Sequence, residues 1–303
     1  MTTRRHAWRL SIGNPCHPTH NGSSPLHAGT HYPGHMPYED DLALALSIAD
    51  EVDALTIAGS LGDFAVEMKP DDTPVTAIDR AAEHLIRERL GAARPADAIV
   101  GVEDGTTAGS GEGTAARRWV VDPIDGTKNF VRGVPAWATL IALLDGHDPV
   151  VGVVSAPALG RRWYASRGTG AWGVTRVHGF PTEPRRLAVS QVTSLADASV
   201  SFSSLGGWEQ RGMLDDFLHV TRTAWRMRAF GDFWSYMMVA EGLVDVACEP
   251  ELALHDMAAL VPIVTEAGGR FTSLAGTDGP FGGDALATNF LLHADMLERL
   301  TLG

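Results

Sequence analysis

Segments with helical spacing of apolar residues alternate with short apolar runs along most of this 303-residue chain, and this alternation limits the folds it can adopt. Apolar residues recur at helical spacing from Leu42 to Val52 and predict a helix over about 39–59. Three apolar runs within 137–166, joined by Gly and Pro turns, predict an antiparallel meander. Interleaved helices and strands indicate a layered α/β fold.

The remaining elements follow from the same patterns, with a soft boundary near 175–185. They are a strand at 64–68, a helix from about Thr76, strands at 98–102, 119–121, 198–203, 244–248 and 270–274, and helices near 208–222, 232–242, 255–267 and the end of the chain. We therefore expect a disordered leader at 1–36, an N-terminal half at 37–180 and a C-terminal half at 181–303. A start of the natural chain at Met36 is the alternative reading of the leader.

Charge and composition exclude several classes of function. The chain has 24 Lys and Arg against 37 Asp and Glu, and this net charge of −13 disfavours binding to nucleic acid or an anionic membrane. The leader contains no apolar stretch long enough for a signal peptide or a membrane span. Two cysteines give no disulfide framework, which is typical of a reducing compartment, so we expect a cytoplasmic protein.

The string DPIDGT at 122–127 contains the residue types of a cation site. Asp122 and Asp125 flank a Pro-Ile pair, so a turn could aim both carboxylates and a backbone carbonyl at one hard cation. Gly126 permits close approach of the backbone, and a helical turn starting at Thr127 would present amides to an anion. An ordinary β-turn is the alternative interpretation.

Three further acids lie at predicted element boundaries, where side chains converge in layered α/β folds. Glu103 follows a strand, and Asp79 and Asp256 lie in the first turns of helices. Each has an ordinary explanation, because acids favour helix N-termini. If they gathered, each pair of charges at 4 Å would repel by about 4 kcal/mol at an effective dielectric constant of 20. Divalent metal ions would relieve that repulsion.

Four motifs carry a family resemblance. They are VTAID (75–79), DPIDGT (122–127), DMAA (256–259) and IVTEAGG (263–269), in that order. Together they resemble the inositol monophosphatase superfamily, and the resemblance covers 38–303. Within it, DPIDGTKNFVRG and the RAFGDF string at 228–233 look most similar to the histidinol-phosphate phosphatases.

The resemblance implies a five-layer αβαβα sandwich and Mg²⁺-dependent hydrolysis of a small phosphomonoester. The implied ligands of two or three Mg²⁺ ions are Glu103, Asp122, the Ile124 carbonyl, Asp125 and Asp256, most of them in the N-terminal half. Asp79 and Thr127 would orient and deprotonate the attacking water, and Gly126 and Thr127 would bind phosphate. Family likeness also suggests a homodimer.

Two positions depart from the family pattern. The family usually has Gly-Glu-Glu before DPIDGT, with the first Glu as a metal ligand, whereas here Val102 takes that place and Glu103 the second. Either Glu103 replaces the lost ligand after a shift of one residue, which we favour, or one metal site is weakened. His255 stands where the family commonly has Trp, and could either tune the pocket or, as we prefer, pack in the core.

Substrate selection is expected in the second half. By resemblance, Arg228, Asp232 and Glu249 face the leaving group, and Lys69 lies near the site; Lys69 and Lys128 are the only two lysines of the chain. The acidic pair suits a cationic amine or imidazole better than a polyol. The alternatives are a helix cap for Asp232, a solvated turn acid for Glu249 and an exposed lysine at 69.

These observations predict a Mg²⁺-dependent phosphatase, with L-histidinol phosphate as the preferred substrate. An inositol monophosphatase is the close rival, and a phosphatase of a nucleotide such as 3′-phosphoadenosine 5′-phosphate is a more distant one. The alternative from another class is a catalytically weakened binding or regulatory protein, because valine at 102 cannot bind magnesium.

Overall fold

The computed structural model describes residues 38–62, 64–68, 74–110 and 117–300. The predicted leader at 1–36 and Lys69 lie outside this range. The helices are α1 (Glu39–Ser60), α2 (Ala77–Ala93), α3 (Thr127–Val131), α4 (Gly206–Gln210), α5 (Leu214–Thr223), α6 (Asp232–Ala240), α7 (Leu254–Met257), α8 (Leu260–Glu266) and α9 (His293–Leu300). No helix in the described ranges is long and apolar enough to cross a membrane.

The strands of the described ranges form two main sheets and one short hairpin. They are β1 (Val66–Met68), β2 (Pro74–Thr76), β3 (Ala98–Val100), β4 (Thr106–Thr107), β5 (Arg117–Asp125), β6 (Ala138–Asp145), β7 (Asp148–Ala156), β8 (Arg161–Ser166), β9 (Ala171–Val177), β10 (Phe180–Pro181), β11 (Arg185–Arg186), β12 (Ser199–Ser201), β13 (Arg226–Arg228), β14 (Val246–Glu249), β15 (Arg270–Thr272) and β16 (Ala285–Thr288).

The larger sheet has the order β10-β9-β8-β7-β6-β5-β3-β4, with β11 also paired to β9. Its centre is the predicted antiparallel meander of β6, β7 and β8, and only β3 and β5 run parallel. Both faces are buried, so neighbouring residues of one strand enter different cores: Leu140 packs on one side and Ile141 on the other. This explains the continuous apolar runs in the sequence.

Five layers result from packing helices on both faces of each main sheet. Helices α1 and α2 cover one face of the larger sheet, where Ile48 and Ile86 pack against Trp119. Helices α6 and α8 fill the space between the two sheets, and the smaller sheet, β13-β12-β14-β16-β15, follows. Its outer face packs against Trp208, Phe217 and other residues of α4, α5 and α9. The five-layer αβαβα sandwich is therefore confirmed.

Several predicted elements are present but interrupted. The helix predicted at 208–222 is divided into α4 and α5 by Gly212, whose φ is 71°. The helix predicted at 255–267 is divided into α7 and α8, because Pro262 has no N–H to bond the carbonyl four residues earlier. The division of the chain into halves at 180/181 stays a prediction; the interval 175–185 lies at the edge of the larger sheet, in β9, β10 and β11.

Candidate active site

A cavity of about 1080 Å³ opens where the end of β5 meets the first turns of α2, α3, α6 and α7. Residues distant in sequence converge there. Of the predicted site residues, those that line it are Asp79, Glu103, Asp122, Ile124, Asp125, Gly126, Thr127, Asp232, Glu249 and Asp256. Val102 lines it as well.

The DPIDGT segment is the end of strand β5, and the register of β5 against β6 shifts between Asp122 and Asp125. The expected turn is therefore a bulge in a strand, which suits Pro123 because proline cannot donate to a sheet ladder. The Asp122 Oδ1 accepts the Ile124 N–H at 3.1 Å. The bulge thus places two carboxylates and the Ile124 carbonyl at the cavity. The sequence predicted this placement, but from a turn and not from a bulge in a strand.

Gly126 follows the bulge in a left-handed conformation with φ 82° and precedes helix α3. A Cβ at this position would lie 2.9 Å from the Ala136 carbonyl oxygen and 3.1 Å from Oδ2 of Asp232. Glycine is thus required for both conformation and space. The first N–H groups of a helix have no intrahelical acceptor, so the start of α3 at Thr127 supplies donors to the cavity.

Asp79 is held at the start of α2 by a capping box. Its Oδ2 accepts the Thr76 N–H at 2.9 Å and the Thr76 hydroxyl at 2.6 Å. Its Oδ1 lies 3.3 Å from the Thr127 hydroxyl, which also lies 2.9 Å from the Ile124 carbonyl oxygen. One oxygen of Asp79 is committed to the cap, and the other faces Thr127.

Asp256 enters the cavity from the first turn of α7, where its Oδ2 accepts the Ala253 N–H at 2.7 Å. The His255 Nε2 lies 3.4 Å from Oδ1 of Asp256. Ligand atoms of Asp122, His255 and Asp256 all lie within 4.8 Å of one another. His255 therefore lines the cavity. From the sequence we preferred packing of His255 in the core, and that prediction was wrong.

The acids of the cavity raise one another's pKa. Burial, followed by the charges of Asp256 and Asp79, holds the pKa of Asp122 well above its usual range. Burial, followed by Asp232 and Asp122, does the same to the pKa of Asp125. The Glu103 carboxylate also raises the pKa of Asp122, so it faces the same cluster. Such mutual repulsion is typical of carboxylates arranged around a cation.

The donor set fits magnesium. Among the described residues, no Lys or Arg nitrogen lies within 4.0 Å of the carboxylates of Asp79, Asp122 or Asp125, although all three are largely buried. Carboxylate and carbonyl oxygens are the ligands that Mg²⁺ prefers, and the Ile124 carbonyl retains a lone pair beside its bond to Thr127. Glu103, Asp122, Ile124, Asp125 and Asp256 are thus the residues that could hold the ions.

A second acidic pair, Asp232 and Glu249, lines the same cavity. Asp232 has a left-handed backbone with φ 48°, and its Oδ2 accepts the Asn129 side-chain amide at 2.9 Å. Burial raises the pKa of Glu249 to about 8. The Glu249 Oε1 and the neighbouring Tyr236 hydroxyl are buried without a hydrogen bond of normal geometry among the described residues. The Ser203 and Tyr236 hydroxyls lie beside Glu249, and their interactions with it partly offset the rise in its pKa.

The sequence analysis expected Arg228 at the substrate, but among the described residues the structure places the basic side chain of Lys128 at the cavity. Arg228 lies exposed on β13, donates to the Met227 carbonyl and is not among the described residues that line the cavity. Its predicted role in substrate binding stays a prediction. Lys128 lines the cavity. Burial, followed by the charge of Asp256, raises the pKa of Asp232, and the charge of Lys128 opposes part of this rise.

Sequence reasoning gave no site role to Asn129, Ser203 or Tyr236. Asn129 bonds both Asp232 and the Ala136 carbonyl, and the Ser203 hydroxyl accepts the Asp232 N–H at 2.9 Å. Asn129 stands inside the same motif as Asp125, which was a usable signal. Ser203 and Tyr236 carry none, because only the tertiary fold brings helix α6 and the segment that follows β12 to Glu249.

Comparison with known proteins agrees with this geometry. The profile of the Inositol monophosphatase family matches residues 44–301. A histidinol-phosphatase of Streptomyces coelicolor is 56% identical over 271 residues, covering 88% of this chain and 98% of the relative. A histidinol-phosphatase of Mycobacterium tuberculosis is 55% identical, covering 87% and 99%. The crystal structure of the extragenic suppressor protein suhB from Bartonella henselae superposes with a TM-score of 0.76 at 28% identity, covering 88% and 100%.

The fold and the acidic cavity define a phosphoric monoester hydrolase with a small phosphomonoester as substrate. The chain belongs to the inositol monophosphatase family, whose enzymes are generally Mg²⁺-dependent.

Proposed function

We propose that this enzyme hydrolyses L-histidinol phosphate to L-histidinol and phosphate, as a step of histidine biosynthesis. The observation that carries the proposal is the acidic pair Asp232 and Glu249, which lines the same cavity as Asp122, Asp125 and Asp256. Histidinol carries an amine and an imidazole, and a cation on the leaving group would be attracted to the carboxylates of Asp232 and Glu249 in this cavity. The names of the two histidinol-phosphatase relatives support the same substrate.

The side chains divide the chemistry between them. Mg²⁺, when bound by Glu103, Asp122, the Ile124 carbonyl, Asp125 and Asp256, supplies Lewis acidity that activates water and offsets charge on the phosphoryl oxygens. Asp79 and Thr127 orient the attacking water, since the Thr127 hydroxyl is held between Oδ1 of Asp79 and the Ile124 carbonyl. Asp79 accepts the proton of that water at Oδ1, its oxygen outside the capping box.

The phosphoryl group is bound by backbone donors. Gly126 lets the chain turn closely into α3, and the N–H groups at Gly126 and Thr127 face the phosphate oxygens. Asp232 and Glu249, which line the same cavity, orient the leaving group through its cationic groups. No covalent enzyme intermediate is required.

A substrate panel tests the proposal. Purified full-length protein is assayed for phosphate release from L-histidinol phosphate, inositol 1-phosphate and 3′-phosphoadenosine 5′-phosphate, with Mg²⁺ and with a chelator. We expect the highest kcat/KM with histidinol phosphate and loss of activity with chelator. A clear preference for the inositol ester would contradict the assignment of histidinol phosphate as the substrate. Absence of turnover on every ester, restored by Val102→Glu, would favour the regulatory alternative.

Three finer properties belong to the same proposal and rest on the family resemblance. They are the binding of two or three Mg²⁺ ions, a homodimeric state and a cytoplasmic location. A metal titration counts the ions, and sedimentation equilibrium measures the mass of the protein in solution.

A further inference from the structure

Helix α2 carries three charged residues on one face, at spacings of four residues. Asp79 lies in its first turn, and Glu83 and Arg87 follow at the next two turns. Residues four apart lie one above the other on a helix, about 6 Å along its axis. Asp79 reaches the cavity directly, whereas Glu83 is fully buried and does not line it. A fully buried carboxylate requires specific partners.

The partners of Glu83 belong to residues 101–105, the segment that carries Val102 and Glu103. Oε2 of Glu83 accepts the backbone N–H of Glu103 at 2.7 Å, and Oε1 accepts that of Asp104 at 3.0 Å. Both oxygens are thus bonded to the backbone next to a predicted metal ligand. Hydrogen bonds from N–H groups to a carboxylate are about twice as strong as those between neutral groups.

Arg87 completes the connection. Its Nε donates to Oε1 of Glu83 at 2.8 Å, its Nη1 donates to the Thr107 hydroxyl at 2.8 Å, and its Nη2 donates to the Gly105 carbonyl. The same Gly105 carbonyl accepts the Gly101 N–H at 3.0 Å, which closes residues 101–105 into a loop. The loop is therefore bonded to α2 at its centre and at its end.

Gly101 allows this close approach. A Cβ at position 101 would lie 2.2 Å from Oε1 of Glu83 and 2.7 Å from Nη2 of Arg87. The backbone of the loop thus packs directly on the Glu83–Arg87 pair, with no room for a side chain.

We propose that Glu83 is a positioning residue that fixes Glu103 relative to Asp79 and thereby sets the affinity of the site for its metal ions. The inference rests on the proposed function, because it takes Glu103 as a ligand. Helix α2 then determines the distance between Asp79, which orients the water, and the loop at 101–105, which supplies Glu103 as a ligand.

Binding of Mn²⁺ to the full chain tests the proposal without any assay of activity. Free Mn²⁺ is followed by electron paramagnetic resonance during titration of metal-free native protein, Glu83→Gln and Glu88→Gln. Glutamine turns an amide N–H₂ toward one of the two backbone N–H groups, so the loop loses one bond and meets a repulsive contact. We expect Glu83→Gln to weaken Mn²⁺ binding about 10-fold, as loss of an outer partner of a metal site typically does. Glu88 lies exposed on the same helix, so Glu88→Gln should bind like the native protein.

A double-mutant cycle separates positioning from general destabilisation. If Glu83 acts through Glu103, adding Glu83→Gln to Glu103→Gln should weaken Mn²⁺ binding no further. Unchanged binding in a folded Glu83→Gln protein, or a full additional loss in the double mutant, would overturn the proposal. Should circular dichroism find Glu83→Gln unfolded, Arg87→Lys retains a charge beside Glu83 but loses the bidentate reach to the loop. It should then weaken binding at least twofold, and unchanged binding would overturn the proposal equally.

The outcome is distinguishable from failure of the proposed function. A native protein that binds Mn²⁺ but hydrolyses no ester would end the catalytic proposal and leave the positioning role intact. Equal Mn²⁺ affinity of the native and Glu83→Gln proteins would end the positioning role alone.

Discussion

The backbone N–H of Phe233 donates a hydrogen bond of 2.9 Å to Oδ2 of Asp125, across 108 residues of sequence. The left-handed conformation of Asp232 directs this N–H toward the end of β5. The same turn therefore holds a predicted metal ligand and presents the side chain of Asp232 to the cavity. Strain of this kind, about 1–3 kcal/mol for a left-handed residue other than glycine, is typical of functional sites.

Replacing Asp125 by Asn tests its role as a ligand. Asn can still accept the Phe233 N–H, so the protein should fold, but turnover should be abolished. Burial and the charges of Asp232 and Asp122 raise the pKa of Asp125, so removing its charge should also leave the metal-free protein at least as stable as the native one. Thermal unfolding with and without Mg²⁺ measures this, and the stabilisation by Mg²⁺ should shrink. A native-like response to Mg²⁺ would contradict ligation by Asp125.

If Glu103 replaces the family ligand that is absent at Val102, substitutions at these two positions should have different effects. Glu103→Gln should lower kcat/KM or Mg²⁺ affinity by about 10–100-fold, whereas Val102→Ala should change either by little. The assay is phosphate release as a function of Mg²⁺ concentration. Equally mild effects of both substitutions would refute the shift.

Asp232 and Glu249 should select the substrate. Asp232→Asn and Glu249→Gln are each expected to raise KM for histidinol phosphate about 10-fold, since a hydrogen bond to a charged group contributes roughly 1.5–3 kcal/mol. Asn tolerates the left-handed backbone of Asp232, so the fold should persist. KM for inositol 1-phosphate should stay the same or fall, because a polyol has no cation to lose. A parallel rise for both esters would contradict selection by charge.

The sequence predicted best those helices and strands whose positions depend only on the burial of their apolar residues. Helix α1 and the meander of β6, β7 and β8 lie within a residue or two of their predicted positions, because their apolar runs are long. The bulge at 122–125 was taken for a turn, since the sequence does not record the pairing of β5 with β6 that continues past Pro123.

For the candidate site, the sequence motifs predicted which acidic side chains would lie close together, while their roles stay predictions. Motif residues such as Asp79, Asp122 and Asp256 do meet in one cavity. Glu83 was missed because its role depends on the loop that packs against it, and a Glu in a helix carries no such signal. Arg228 was placed near the leaving group by resemblance alone; its side chain is exposed on β13, and its role stays a prediction.

Gly126→Ala is expected to destabilise the protein more than Gly133→Ala does. Both glycines have positive φ, 82° and 72°, so alanine costs about 1–2 kcal/mol of conformational energy at each position. At 133 a Cβ meets nothing within 4 Å, whereas at 126 it lies 2.9 Å from the Ala136 carbonyl oxygen. Urea unfolding measures the difference, and only Gly126→Ala should also lose activity. Equal free energies of unfolding would show that the space at 126 is not required.

The pKa of Glu249 predicts how stability depends on pH. Burial raises this pKa from 4.5 in an unfolded chain to about 8, so between these values the folded state holds a proton that the unfolded state has released. Raising the pH therefore favours unfolding, by up to on the order of 1 kcal/mol per pH unit from this group. Below pH 4.5 both states are protonated, and the contribution of the neutral carboxyl is fully present.

Glu249→Gln should remove this dependence, because glutamine does not titrate. Urea unfolding of the metal-free proteins measures the free energy of unfolding of the native protein and of Glu249→Gln. The value for the variant minus the value for the native protein should rise steadily between pH 5 and pH 8, the interval bounded by the two pKa values. Acids that do not interact with Glu249 titrate in both proteins and cancel in the difference, whereas Asp232 and Asp256, whose charges act on Glu249, contribute to its slope. Glu209→Gln replaces an exposed acid of α4 and should give a flat difference. A flat difference for Glu249→Gln as well would mean that Glu249 is ionised in the folded protein, and its side of the cavity would then carry two negative charges before any substrate binds.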